Sequence, residues 1–326
     1  MGAVSMVDSF LKYLKFEKRY STKTVLAYQT DLQQFQKFLN HEFDHIQSAE
    51  ANHGLVRSWI VSLVESGLDA VSVNRKIACL RSYFKFLIKQ EIIAKDPMAK
   101  IKILKTKKKL PHFVQEADMV TLLDQNAFEA DFDGRRDQLV LELLYGTGMR
   151  LSELISLRDS SINLRDRTLK VLGKRNKERV IPFTSSLVHL IEGYRKIRNR
   201  EVERKDDTFI VMKAGTPVYP MMVNRIVKKY LKGSTVEKKS PHVLRHTYAT
   251  HLLNKGAEIN AVKDLLGHSS LAATQVYTHN SVEKLKKVFD QAHPKAWPKA
   301  FNLFHLNFLF LWSYKFTPST LMPMIN

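Results

Sequence analysis

Between Lys100 and Lys109 six of ten residues are lysine, and Pro111 follows. A run of like charge repels itself and reads as a solvated, extended linker that marks a domain boundary. Two domains are therefore expected, one on each side. Its 326 residues give each body enough length for a core of its own, since a domain takes roughly 100–200 residues. A hydrophobic fraction of 44% and an aromatic fraction of 10% are those of a folded protein and exclude a disordered basic tail. We place a helical domain at 1–103, a basic linker at 104–112, a second domain at 113–296 and an atypical aromatic tail at 297–326.

The 52 lysines and arginines against 32 acidic residues leave a formal charge of +20, which calls for a polyanionic partner, either nucleic acid or an acidic membrane surface. The linker lysines Lys107, Lys108 and Lys109 fit a solvated tether and equally fit a strap that tracks a phosphate backbone. Cys79 is the single cysteine, which excludes a disulfide framework and a cysteine-based zinc site and suits a reducing compartment. Lys12, Lys15, Lys18 and Arg19 interrupt any signal-peptide core, and Met6 stands where a myristoylation signal needs Ser or Thr. No stretch reaches the ~18 apolar residues of a membrane span. The nearest, Ala300 to Tyr314, holds Asn302, His305 and Asn307. A soluble cytoplasmic protein, without a membrane partner, is expected.

The first hundred residues carry helical periodicity. Val7, Phe10, Leu11 and Leu14 share a face, as do Tyr28, Leu32, Phe35 and Leu39 behind a Ser21/Thr22 start signal, and Ile77, Leu80, Phe84 and Leu87. With a helix at His53–Glu65 closed by Gly67, four short helices make a bundle. Beyond Pro111, helices are expected at Glu116–Gln125, Asp137–Tyr145, Leu151–Leu157, Thr184–Arg200, Met221–Leu231, His242–Asn254 and Ile259–Leu266. Thr168–Leu172 and Arg179–Phe183 read as a β-hairpin with a basic tip. The fold class is mainly α with a small β-sheet.

Three stretches carry chemistry. In Gly146-Thr-Gly148-Met-Arg150-Leu-Ser-Glu153 two glycines permit a tight turn, and Arg150 opens a helix with Glu153 three residues on, close enough to brace it. A guanidinium is a planar fork suited to two phosphate oxygens. In Ser240-Pro-His242-Val-Leu-Arg245, proline favours a helix start and the i,i+3 spacing puts His242 and Arg245 on one face, an arrangement suited to an anion. His242, His246 and His251 lack a carboxylate at metal-binding spacing, so no metal is expected. Gly267-His268 ends a helix in a turn, with Tyr277 nine residues on. Taken alone that tyrosine reads as a core residue, because a phenol with pKa ~10 needs help to act as a nucleophile.

Arg150, His242-x-x-Arg245, Gly267-His268 and Tyr277, in this order and spacing, resemble the tyrosine recombinase (phage integrase) family over about Lys12 to Ala296. Phe16-Glu-Lys-Arg-Tyr-Ser-Thr-Lys-Thr and Tyr28-Gln-Thr-Asp-Leu are similar to its bacterial Xer subgroup, which resolves chromosome dimers. The resemblance implies an N-terminal SAM-like core-binding bundle, a C-terminal catalytic domain, and phosphoryl transfer without metal, ATP or other cofactor. Tyr277 matches the nucleophile, Arg150 and Arg245 the arginines on the non-bridging oxygens, His268 a further donor there, and His242 the residue that assists proton transfer. Among Lys174, Arg175 and Lys177 composition does not choose; the resemblance puts the general acid on Lys174. It also implies duplex DNA with a specific site and a homo- or hetero-tetramer, and it leaves open a DNA translocase as a further partner. Arg75 and Lys76, at a helix start, are DNA-binding candidates with the linker lysines.

The tail departs from the family, which usually ends near Ala296; Phe301, Phe304, Phe308, Phe310, Trp312, Tyr314 and Phe316 crowd it. It reads either as a segment docking on a neighbouring protomer or, the favoured account, as an extension without a selected role. Three other functions stay open: a mobile-element integrase, a type IB topoisomerase, and a non-enzymatic regulator built on a helix-turn-helix at Thr250–Gly267.

Overall fold

The computed structural model describes residues 5–106, 112–123, 128–173 and 178–267. Contacts divide the chain into two compact units between Lys109 and Leu110. Lys107–Lys109, Lys174, His268, Tyr277 and the tail lie outside the described residues.

The first unit is built from α1 (Met6–Lys12), which continues into a π-helical turn at Tyr13–Glu17, then α2 (Thr22–Glu42), α3 (His53–Glu65) and α4 (Ala70–Lys89). Each α-helix begins where a side-chain oxygen takes an otherwise orphaned N–H: Ser5 on Val7, Ser21 on Thr24, Asn52 on Leu55 and Asp69 on Ser72. Two of the four are not short. At 21 and 20 residues, α2 and α4 are each about 30 Å long and form the spine. Phe10, Leu32, Phe35, Trp59, Ile77, Leu80 and Tyr83 fill the space between the helices, with Phe35 against Trp59 at 4.9 Å and Phe10 edge-on to Tyr83 at 5.4 Å. Cys79 lies within this core; burial pushes its thiol well above the usual range, with Asp31 adding to it, so it packs as an apolar residue.

The second unit wraps around α6 (Phe132–Thr147), a helix buried on nearly every side. Around it lie α5 (Glu116–Leu122), α7 (Leu151–Ile155), α8 (Ser185–Glu201), α9 (Pro220–Tyr230), α10 (Pro241–Asn254) and α11 (Ile259–Leu266). Both α9 and α10 open on a proline, whose missing N–H costs nothing there. The sheet is a three-stranded antiparallel meander, β1 (Ile162–Asn163), β2 (Thr168–Leu172) and β3 (Glu178–Pro182), in that order. Its register sets Ile162 opposite Leu169, Leu169 opposite Ile181 and Val171 opposite Arg179. Because side chains alternate along a strand, Arg179 shares the inward face with Ile181.

No helix among the described residues is long and apolar enough to cross a membrane.

Candidate phosphate-binding site

Two left-handed glycines shape the site. Gly148 ends α6 at φ +61, and a Cβ there would overlap Tyr248 Cδ1 and lie 2.8 Å from its Cε1. Gly267 ends α11 at φ +62, and a Cβ there would come 2.9 Å from Arg179 Cδ. Only glycine meets both the backbone angle and the space at each turn.

These turns point carbonyls at arginines. Arg245, on α10 and 8% exposed, donates through Nη1 to the Gly148 carbonyl and through Nη2 to the Leu266 carbonyl at 2.6 Å. Arg150, just before α7, donates through Nη2 to the adjacent Gly267 carbonyl at 2.9 Å. The C-terminal end of α11 thus receives both guanidiniums, and its unsatisfied carbonyls and negative dipole end favour cations there. Burial, helped by Arg150 and Arg179, pushes Arg245 down to about 10, so it stays charged at neutral pH.

Glu153 sits at the centre, 2% exposed. It accepts the Arg150 backbone N–H at 2.7 Å, Arg150 Nη1 at 2.8 Å, and both terminal nitrogens of Arg179, one of them at 2.9 Å. Burial opposes its charge, but the Arg179 and Arg150 donors outweigh burial and hold the carboxyl below the usual range. Three guanidiniums around one carboxylate leave an uncompensated charge of about 2+, an environment that favours an anion. Each guanidinium carries about five N–H donors. Described protein groups engage two each on Arg150 and Arg245, so the rest have no partner among the described residues and suit oxygens of a ligand.

The expected residues fall into three groups. Arg150, Glu153 and Arg245 are brought together. His242 is exposed, three residues before Arg245 in the first turn of α10. Lys174, His268 and Tyr277 lie outside the described residues, although Gly267 precedes His268 directly and Leu172 and Glu178 pair beside the segment that carries Lys174. His251, by contrast, belongs to the core: it is 3% exposed, lies 3.0 Å from the Tyr145 hydroxyl, and burial pushes it down toward the neutral form. No metal-holding cluster of His, Cys, Asp and Glu occurs among the described residues.

Arg75 and Lys76 lie in the second turn of α4, not at its start. Lys76 is 4% exposed, and its ammonium is committed to Asp31 at 2.8 Å and to Gln34. In this arrangement it is an internal strut with no surface to offer a phosphate. Arg75 also pairs with Asp31, through both terminal nitrogens, but its side chain stays 48% exposed.

Sequence reasoning missed Arg179. The signal was present as a charged residue on the inward face of β3, a position that demands a buried partner.

The second unit gathers three guanidiniums about one carboxylate, an arrangement suited to an oxyanion such as a phosphate diester, and a separate helical unit precedes it in the chain. Known proteins make this specific. The sequence matches the phage integrase family over residues 112–284 and the phage integrase N-terminal SAM-like domain over 7–91. Tyrosine recombinase XerC of Staphylococcus carnosus is 39% identical over 291 residues, covering 89% of this chain and 97% of that one. The XerC of Chlorobaculum parvum is 36% identical over 317 residues, covering 89% and 94%, and XerD of Staphylococcus haemolyticus is 33% identical over 296, covering 90% and 99%. Among solved structures, XerH site-specific recombinase bound to palindromic difH in a post-cleavage complex aligns with a TM-score of 0.67 at 20% identity over 87% of this chain and 84% of that one. The Tn1549 transposon integrase in complex with transposon right end DNA gives 0.65 at 19% over 87% and 99%. The chain belongs to the phage integrase family as a site-specific tyrosine recombinase of the Xer-like kind.

Proposed function

We propose that the protein cuts and rejoins duplex DNA at a specific site through a 3′-phosphotyrosyl intermediate, as a cytoplasmic enzyme of chromosome dimer resolution. The observation that carries the chemistry is the seating of Arg150 and Arg245 on neighbouring carbonyls of one helix end, with donors left over for two phosphate oxygens. In this reading the Tyr277 hydroxyl attacks the scissile phosphorus in line. A Tyr277 O–P bond forms, the P–O5′ bond breaks, and the phenolic proton leaves with His242 assisting. Lys174 gives a proton to the departing 5′-oxygen, which becomes a free hydroxyl. Arg150, Arg245 and His268 hold the non-bridging oxygens, where charge builds in the transition state; groups already in place do not have to reorganise when it forms. Attack by a 5′-hydroxyl of the partner strand reverses each bond change, so the phosphotyrosine conserves the bond energy and no ATP is spent.

The remaining basic residues, Arg75 and Lys107–Lys109 among them, serve the phosphate backbone of the duplex, and a tetramer brings two duplexes together. DNA affinity then falls steeply with salt, because each phosphate contact releases counterions.

The experiment is recombination between two cloned sites in chelator and without nucleotide, paired with sequencing of DNA covalently trapped by the protein in cells. Recombination that persists in chelator, with trapped ends concentrated at one locus near the replication terminus, supports the reading. Scattered mobile-element ends would transfer the protein to an integrase role. Relaxation of a single plasmid with no need for paired sites would make it a topoisomerase.

A further inference from the structure

Arg179 has no role in the chemistry above, yet it is a tightly held charged side chain beside the site. It is 5% exposed, and both terminal nitrogens go to Glu153. Its Cδ, Nε and Nη1 lie so close to Gly267 that a single added carbon there would fall 2.9, 3.3 and 3.4 Å from them. Its Nε is buried without a hydrogen-bond partner among the described residues. An arginine kept only to neutralise Glu153 would not need to press against a helix terminus.

Contacts run outward from this side chain in two directions. Through Glu153 it reaches both the backbone N–H and the Nη1 of Arg150. Against Gly267 it abuts the turn whose carbonyl takes Arg150 and whose preceding carbonyl, Leu266, takes Arg245. One rigid fork therefore touches the carboxylate that orients the first arginine and the backbone that seats both. Arg179 also begins the inward face of β3, immediately after Glu178, so the same clamp ties the loop end of the β2–β3 hairpin to α7. A lysine, a point charge on a flexible stem, can satisfy one carboxylate oxygen but cannot hold that plane.

We propose that Arg179 is the positioning residue of the phosphate site, fixing Glu153 and the Gly267 turn so that Arg150 and Arg245 present their free donors to one phosphate. The proposal rests on the reading of Arg150 and Arg245 as the phosphate-binding arginines. A fork that slackens leaves both arginines present but misplaced, and misplacement on the ångström scale costs about 10²-fold in rate.

The test is single-turnover cleavage of a suicide DNA substrate by the full chain, reading rate constant and amplitude separately, for Arg179→Gln, Arg179→Lys and Arg150→Ala. A positioning role lowers the rate constant of Arg179→Gln by about 10²-fold at full amplitude with DNA affinity kept, and Arg179→Lys recovers only part of it. A merely structural role lowers the amplitude, the fraction of folded molecules, and leaves the rate constant at the wild-type value; that outcome overturns the proposal. If Arg179→Gln does not fold, Arg179→Lys carries the test, and a wild-type rate constant in it overturns the proposal too. Wild-type cleavage by Arg150→Ala would instead refute the phosphate-site reading on which the proposal rests.

Discussion

Replacing Glu153 by glutamine changes one oxygen for an amide group and almost no volume, so it isolates charge. In the native protein that carboxylate takes four donors, two from Arg179 and two from Arg150. The Arg179 side chain is 5% exposed, whereas that of Arg150 is 24% exposed. The cost is therefore dominated by Arg179, whose charge stays buried with half its partner turned into a donor that faces its own N–H groups. Breaking a buried pair by removing one partner costs about 3–5 kcal/mol, and the partly solvated Arg150 adds little. The pH dependence gives an independent check. The folded Glu153 carboxyl titrates below its unfolded value of about 4.3, so its contribution is fully present above that value and is lost as pH falls through the lower folded one. The gap between wild type and Glu153→Gln should be widest near pH 7 and narrow in acid. Hydrogen exchange on peptides from α6 and α7, which report the second unit alone, measures it. A gap under about 1 kcal/mol at pH 7, or one that does not change with pH, would refute the electrostatic account of this site.

Other consequences can be checked alongside. Gly148→Ala should cost about 2–5 kcal/mol, from the left-handed backbone and the overlap with Tyr248, whereas Gly146→Ala, two residues earlier with open space around its Cβ, should be neutral or stabilising by about 0.5–1 kcal/mol; thermal melts of the pair test this. Asp31→Asn should destabilise the first unit by about 3–5 kcal/mol, because Lys76 is left buried without its carboxylate, and hydrogen exchange in α2 and α4 reads the loss. The Cys79 thiol should react with a disulfide reagent at least ~10³-fold more slowly in the native protein than in urea, since reaction must await opening of the core.

How legible was all this beforehand? Helices α3 and α11, each followed by a left-handed glycine, were read to the residue: α3 ends just before the Gly67 turn and α11 ends at Gly267. Where one signal was missing, the limits drifted. Helix α6 starts at Phe132, five residues before the expected Asp137, because a helix buried all round has no polar face to mark its phase. Strand β1 has only two residues and carries no alternation to find. Arg150, Arg245 and Glu153 were visible as local motifs. The seats were not, since Arg150 and Arg245 rest on carbonyls 117 and 97 positions away, and a carbonyl belongs to every residue alike. Lys76 shows the same limit from the other side. It falls on the helix face of Val73, Ile77 and Leu80, but its partner Asp31 is 45 residues distant, so spacing alone could not tell strut from surface cation.

In the proposed reaction Tyr277 becomes joined to DNA within a cradle of arginines. A suicide substrate that traps the cleaved strand, followed by digestion and mass measurement of the linked peptide, asks this directly. The expected product is a 3′-phosphotyrosyl adduct on Tyr277, formed in chelator, absent in Tyr277→Phe and strongly reduced in Arg245→Ala. No adduct under conditions where the protein binds the site, or an adduct on another residue, would contradict it.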